Sequence, residues 1–445
     1  MTHSRRLHVF LHALAGGVVI LLAAFVDPIM GWPARWGRTE SLGVAVGLLI
    51  VTVGFLPQRL ESRGARASAG LCVSLLGLIT VLALSEGLFR LLRFDFAAEE
   101  RHWRQRPVYY RQPRTPTGTV FFKRPEHERW TGQVLSRQLE LNGISPNPFK
   151  NEPVMTVQYD FRGFRNADDL TTWEIAVAGD SFTELGYLEQ PQLFTSTLAE
   201  KLGRPVLNLG TSHTGPLTQL SYLDTFGASS GLKHTLIVFF EGNDLDDLAR
   251  ETEAVRQWTS TGKRGYREFR QQTSLIRAAY SAVYELFLGR SDRWPDQITA
   301  HFQSAEGPVP VTFYYTPPGS AQLSAATMRQ LEEFFAQYEA WGHRQRVTPW
   351  LAYMPTKERV LYGQVTFAPS APDSLRRWQP TDLPEVIRRL SERHGIRFVD
   401  LTPALTANTK RTRELAYNSI HDTHLNALGS RIVGEELARR MSGPK

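Results

Sequence analysis

Residues Ile175 to Gly186 read IAVAGDSFTELG, and the reading of the whole chain turns on them. The apolar opening IAVAG is too short for a core helix and suits a strand buried on both faces. It runs straight into Gly179, Asp180, Ser181 and Phe182, so a serine stands where the chain leaves the sheet. In an open parallel sheet, ligands bind in the crevice at the carboxyl ends of the strands. The Ser181 hydroxyl is therefore expected in that crevice, with Phe182 packed beneath the turn.

Four similar runs follow: PVLNLG from Pro205, TLIVFF from Thr235, PWLAYMP from Pro349 and IRFVDL from Ile396. Helix-like stretches separate them. Buried strands alternating with helices predict a layered α/β domain with a parallel sheet over residues 172–440. An insertion over about 245–346 reads as mostly helical, in LIRAAYSAVYELFLG from Leu275 and TMRQLEEFFAQYEAWGHR from Thr327. Aromatics at three- and four-residue steps face a core, and an insertion beside a site also suits a lid or substrate wall.

Each predicted strand end carries polar residues. Asp180 and Ser181 follow the first. VLNLGTSHTGP places Asn208, Gly210 and His213 after the second. FFEGND brings Gly242, Asn243 and Asp244 to the end of the third, and IHDTHLNALG sets Asp422 two residues before His424. A serine hydroxyl needs a base within hydrogen-bond reach, and His424 is the candidate. Asp422 suits the role of orienting the imidazole. The Asn243 amide and backbone N–H groups near Gly210 and His213 suit an oxyanion site. Asp180, also fitted to accept turn N–H groups, and Lys357 in MPTKERVLYG are candidate substrate contacts.

The order of these blocks resembles the SGNH hydrolases, also called the GDSL family, over roughly Trp173 to Arg440. YDFRGFRNADDL from Tyr159 and MPTKERVLYG from Met354 resemble its bacterial membrane-anchored branch, related to enzymes of polysaccharide O-acetylation and deacetylation. The resemblance implies a flavodoxin-like three-layer α/β/α fold and ester chemistry without a cofactor. Two departures stand out. His213 stands where the family's oxyanion block usually has Gly, and the acid and base are spaced Asp-x-His.

Residues 1–95 read as three transmembrane helices, with apolar runs His8–Val26, Ser41–Leu56 and Ala67–Leu92. The first and third can cross a hydrocarbon core of about 30 Å; the second is short and stops at Pro57. No small-x-small cleavage pattern follows Val26, against a signal peptide. Arg5 and Arg6 precede the first run, Arg35 and Arg38 lie in the first loop, and Arg59, Arg63 and Arg66 lie between the second and third, an excess on one side. This bias predicts an inside amino terminus, a multi-pass protein of a bacterial inner membrane, and a periplasmic or extracellular carboxyl-terminal domain. Residues 96–171 read as a connector with strands in GTVFF and VMTVQYDFRGFR.

Composition narrows the partners. The formal charge is +7, but only 8 of the 51 basic residues are Lys and no basic run exceeds two residues, so nucleic-acid binding is not expected. The single cysteine, Cys72, excludes an intramolecular disulfide and a Cys-based zinc site. His421, Asp422 and His424 are the one group with metal-ligand spacing, and the serine reading uses two of them. The expected function is a serine esterase removing acyl, notably acetyl, groups from a carbohydrate or other exported ester. The alternatives are an O-acyltransferase acetylating an extracellular polysaccharide with a membrane partner protein, and a non-catalytic scaffold.

Overall fold

The structure, a computed structural model, describes residues 3–25, 38–56, 63–91, 110–114, 120–136, 151–167, 169–261 and 298–443. It divides into two compact units, residues 1–100 with 262–289, and 101–261 with 290–445. The expected helix LIRAAYSAVYELFLG lies outside the described residues.

Three helices make up the amino-terminal unit as described: His3–Ala24, Arg38–Phe55 and Arg63–Leu91. Two segments, Arg5–Ala24 and Gly64–Leu88, are long and apolar enough to cross a membrane; Ser41–Phe55 is a shorter apolar helix. The first two helices meet through small residues. A Cβ added to Gly47 would lie 2.7 Å from the Gly16 carbonyl oxygen, so the backbones touch there. Such approach is the packing mode of helices in lipid, where van der Waals contact drives association. Leu71, Leu84 and Leu91 of the third helix are largely exposed, an apolar outer surface on that helix.

Among the described residues, twelve strands belong to the second unit. They are β1 (Tyr110–Arg114), β2 (Val120–Lys123), β3 (Arg129–Gly132), β4 (Met155–Gln158), β5 (Ile175–Gly179) and β6 (Val206–Asn208), then β7 (His234–Phe240), β8 (Ala300–Ser304), β9 (Gly307–Val311), β10 (Thr348–Met354), β11 (Val365–Phe367) and β12 (Arg397–Asp400). The central sheet has the order β12-β10-β7-β5-β6. Every pairing in it is parallel, with Ile175 opposite both Val206 and His234. In chain order this is the 2-1-3-4-5 flavodoxin-like arrangement, whose strand order reverses beside β5. All five apolar runs read from the sequence are its strands. In the connector, GTVFF and VMTVQ contribute to β2 and β4, which pair antiparallel with β1 and β3.

Alternation along the strands builds two cores. Ile175, Val177, Leu236, Val238, Trp350 and Ala352 pack with Phe194 and Leu198 of helix Phe194–Leu202 and Val433 and Leu437 of helix Ala427–Met441. Ala176, Ala178, Ile237, Phe239, Leu351 and Tyr353 face the other way, onto Tyr222, Phe334, Tyr338 and Ile387. This gives the three α/β/α layers, and TMRQLEEFFAQYEAWGHR is an ordinary covering helix, Ala325–Gln345. Most of the described residues in the expected insertion are helical, in Asp244–Thr261 and Ala325–Gln345. Its residues Ala300–Val311 form the β8–β9 hairpin, which joins β11 in an antiparallel sheet.

The ends of β7 and β10 are locked by a buried ion pair. Arg359 Nε donates to Glu241 Oε1 at 2.6 Å, and both side chains are almost fully buried. Glu241 Oε2 also accepts the Thr356 N–H at 3.0 Å. Removing one member of such a pair strands a buried charge. Arg359→Met is therefore expected to cost about 3 kcal/mol or more. Denaturant unfolding of the detergent-solubilised chain measures this, and adding Glu241→Gln should recover part of the loss.

Candidate active site

The turn after β5 is shaped by its own residues. Asp180 accepts the Phe182 N–H at 2.8 Å and so caps the short helix Ser181–Glu184, which Leu185 closes with φ +43°. Phe182 is buried beneath it, stacked on Phe240 with ring centroids 3.8 Å apart. Ser181 itself stays partly open.

Ser181 and His424 meet across 243 positions of sequence, with Ser181 Oγ 2.8 Å from His424 Nε2. The other ring nitrogen, Nδ1, lies 2.5 Å from Asp422 Oδ1, which also accepts the His424 backbone N–H at 2.9 Å. Asn418 Nδ2 donates to Asp422 Oδ2 at 2.9 Å. Burial disfavours the Asp422 carboxylate, but His424 and these donors outweigh burial and hold its pKa down at about 2. Burial likewise opposes the His424 imidazolium, and the Asp422 charge overcomes it, leaving the pKa above its ordinary value. A hydroxyl, an imidazole and a carboxylate in this chain can move a proton from Ser181 to His424 while Asp422 stabilises the cation. His421, the other histidine of the loop, is buried at φ +57°.

Two expected substrate contacts turn inward instead. Lys357 is fully buried. Its Nζ donates to the carbonyls of Asn418 and Ser419 at 2.9 Å and of Asp422 at 2.7 Å. Three donors are spent on three carbonyls, so Lys357 anchors the loop that carries Asp422 and His424. Asp180 is 1% exposed, and burial pushes its pKa up to about 6 against the pull of the Phe182 N–H and His424. Beneath it, burial and the Asp180 charge hold Asp244 well above the usual carboxylate range. Asp180 belongs to the turn rather than to the open side of the crevice.

The expected oxyanion residues separate in the same way. Gly210 donates its N–H to Asn208 Oδ1 at 2.7 Å, and a Cβ there would strike the backbone of Thr183 and Glu184. Its amide is committed, so Gly210 serves the close packing of β6 against the serine turn. His213 is exposed and takes φ +66°, the left-handed region that favours Gly. The departure from Gly at this position thus keeps the Gly conformation, in a non-Gly residue whose strain the surroundings must hold. Asn243 is half-buried and uses Nδ2 on Asp247 Oδ2 at 2.7 Å.

Several residues that hold the site were not singled out from sequence. Glu184, 1% exposed, accepts Arg124 Nε at 2.9 Å and the Tyr159 hydroxyl at 2.8 Å through Oε1. Its Oε2 accepts the Ser212 N–H at 2.8 Å and the Ser212 hydroxyl at 2.6 Å, next to His213. Asp160 gathers Arg162, the Phe164 N–H and Asn166, and Asn166 in turn brackets the backbone of Asn208 at 2.7 and 2.9 Å. The block YDFRGFRN therefore staples the exit of β6. The signal available in sequence was the block YDFRGFRNADDL itself, marked by its resemblance to the membrane-anchored branch.

A model of the GDSL-like lipase/acylhydrolase family matches residues 177–432, more than half of the chain. The chain belongs to this family. Among solved structures it is similar to an α/β hydrolase enzyme from the metagenome of Lake Arreo, Spain, at 12% identity and a TM-score of 0.31, covering 63% of this chain and 98% of that one. It is also similar to a catalytic mutant of an acetylxylan esterase from Geobacillus stearothermophilus, at 13% identity and a TM-score of 0.31, covering 61% and 94%. No curated protein matches the sequence.

The shifts of the pair fix two directions with pH. The stabilisation from a raised His424 pKa is full below its unfolded value near 6.5 and is lost as pH rises through the folded value. That from Asp422 is present above 3.8 and is lost as pH falls through about 2. Reactivity runs opposite to the first, because only neutral His424 accepts the serine proton. The rate at which a fluorophosphonate labels this GDSL protein should therefore rise with pH through a midpoint above 6.5. A flat profile from pH 5 to 9 would count against His424 as the base.

Proposed function

We propose that this GDSL-family chain is a membrane-anchored serine esterase that removes acyl groups, acetyl foremost, from a carbohydrate or other exported ester. The observation that carries the reading is the continuous run of contacts from Ser181 Oγ through His424 to Asp422. Ser181 Oγ attacks the ester carbonyl carbon as its proton passes to His424 Nε2, and Asp422 stabilises the imidazolium. The carbonyl oxygen becomes an oxyanion, met by the Ser181 N–H, the turn at His213 and the Asn243 amide. Collapse expels the alcohol, protonated by His424, and leaves acyl-Ser181. Water, deprotonated by the same imidazole, attacks the acyl carbon and frees the acid and Ser181.

Anchoring rests on the apolar helices Arg5–Ala24 and Gly64–Leu88, with Ser41–Phe55 as the shorter middle span. The arginine bias around them orients the esterase domain outward. A phosphatase reporter fused after Leu92 should be active and one fused after Leu56 inactive; the reverse pattern would place the domain in the cytoplasm.

The chemistry is tested with purified full-length protein and a chromogenic acetyl ester. Turnover without an acceptor, abolished in Ser181→Ala together with fluorophosphonate labelling, is the expected result. An acyl-enzyme that accumulates until an oligosaccharide is added would identify an acyltransferase instead. Labelling of Ser181→Ala equal to wild type would remove the serine assignment altogether.

A further inference from the structure

The segment that follows β9 lies against the site on two sides. Thr312 donates its N–H to the Ser419 carbonyl at 3.2 Å, tying the segment to the loop that carries Asp422 and His424. Three residues on, the Tyr315 ring reaches the end of β7. It stands edge-on to Phe240 at 5.5 Å, and a Cβ on Gly242 would lie 3.2 Å from Tyr315 Cδ1. The segment from Thr312 to Tyr315 therefore runs from the acid–base loop to the residue just before Asn243. Its backbone is fixed there by Glu358, whose Oε1 accepts the Tyr314 and Tyr315 N–H groups at 2.5 and 2.9 Å.

The phenol so placed is left for another partner. Tyr315 is only partly exposed, and its hydroxyl has no hydrogen-bond partner among the described residues. Two buried tyrosines differ from it: Tyr187 donates to the Leu425 carbonyl at 2.6 Å and Tyr417 to that of Pro355 at 2.9 Å. Asp180 and Asp422, the neighbours of Ser181 and His424, lie close enough for their charges to act on this phenol, so a hydroxyl without a protein partner is placed to donate to a bound molecule with an acceptor oxygen.

We infer that Tyr315 is a substrate-binding residue of this site, its hydroxyl donating to an oxygen of the bound ester and its ring walling the space for the acyl chain. Burial, with the nearby charges of Asp180, Glu358 and Asp422, holds the phenol above its ordinary pKa. Tyr315 thus stays a donor across the working range. The position over Gly242 sets the wall close to Asn243, which favours short acyl groups. This inference rests on the serine-esterase reading and goes beyond it by naming what selects the acyl group.

Purified full-length protein is assayed with 4-nitrophenyl acetate and 4-nitrophenyl butyrate. Tyr315→Phe deletes a hydroxyl that no protein group uses, so Tm should hold within about 2 °C. KM for acetate should rise about tenfold while kcat stays within about twofold, the pattern of lost binding. Tyr315→Ala should in addition raise the butyrate-to-acetate ratio of kcat/KM at least about fivefold. A wild-type KM in Tyr315→Phe overturns the hydrogen bond, and an unchanged ratio in Tyr315→Ala overturns the wall. Wild-type protein that turns over neither ester, or no faster than Ser181→Ala, would instead bring down the esterase reading and this inference with it.

Discussion

The contact between Ser181 and His424 joins two segments that are far apart in the chain, and neither could hold it alone. A short turn after β5 supplies the hydroxyl, and a loop just before the last helix supplies the imidazole. An interaction of 2.8 Å tolerates little drift, so both segments must be fixed by groups outside themselves. The serine turn is fixed by Asp180 from within and by Asn208, whose Nδ2 donates to the Thr183 carbonyl. The histidine loop is fixed by the Lys357 ammonium and by the Tyr187 hydroxyl on the Leu425 carbonyl.

Much of the supporting chemistry is ionic and buried, where a polar group must be matched or it destabilises the fold. Glu184, Asp160, Glu241 and Glu358 are all buried. Glu184, Glu241 and Glu358 gather backbone N–H groups or cationic side chains from segments distant in sequence, and Asp160 gathers those of its own turn. These carboxylates do for the irregular crevice what hydrogen-bond ladders do for the sheet. Left-handed backbone at Leu185, His213 and His421 flanks the same crevice, and such conformations persist only where the surroundings over-determine them.

The sheet was legible because each strand is a short apolar run bounded by turn chemistry, as in IAVAG before Asp180. The GDSL pattern was legible because Ser181, Asn243, Asp422 and His424 sit at strand or helix ends, where spacing is readable. Side-chain direction was not. Lys357 reads as an exposed cation after a strand, and only the carbonyls of Asn418, Ser419 and Asp422, some sixty residues on, turn it inward. Gly210 looked like an oxyanion donor until the Asn208 side chain claimed its N–H. The β8–β9 hairpin was not legible because AHFQS and GPVPV are short, the second carries two Pro, and helix-like sequence flanks them.

The turn Thr356–Arg359 illustrates how such a site can be recognised in distant sequences. Thr356 bonds Glu241, Lys357 bonds the histidine loop, Glu358 bonds the tyrosine segment, and Arg359 bonds Glu241 and Thr381. Four adjacent side chains thus answer to partners scattered over some 180 positions of sequence. A chain that keeps TKER after its fourth parallel strand should therefore also keep an acid at the end of the third and a paired aromatic segment before the covering helix. The four letters work as a signature whose meaning can be checked elsewhere in the same sequence, even where overall identity has faded.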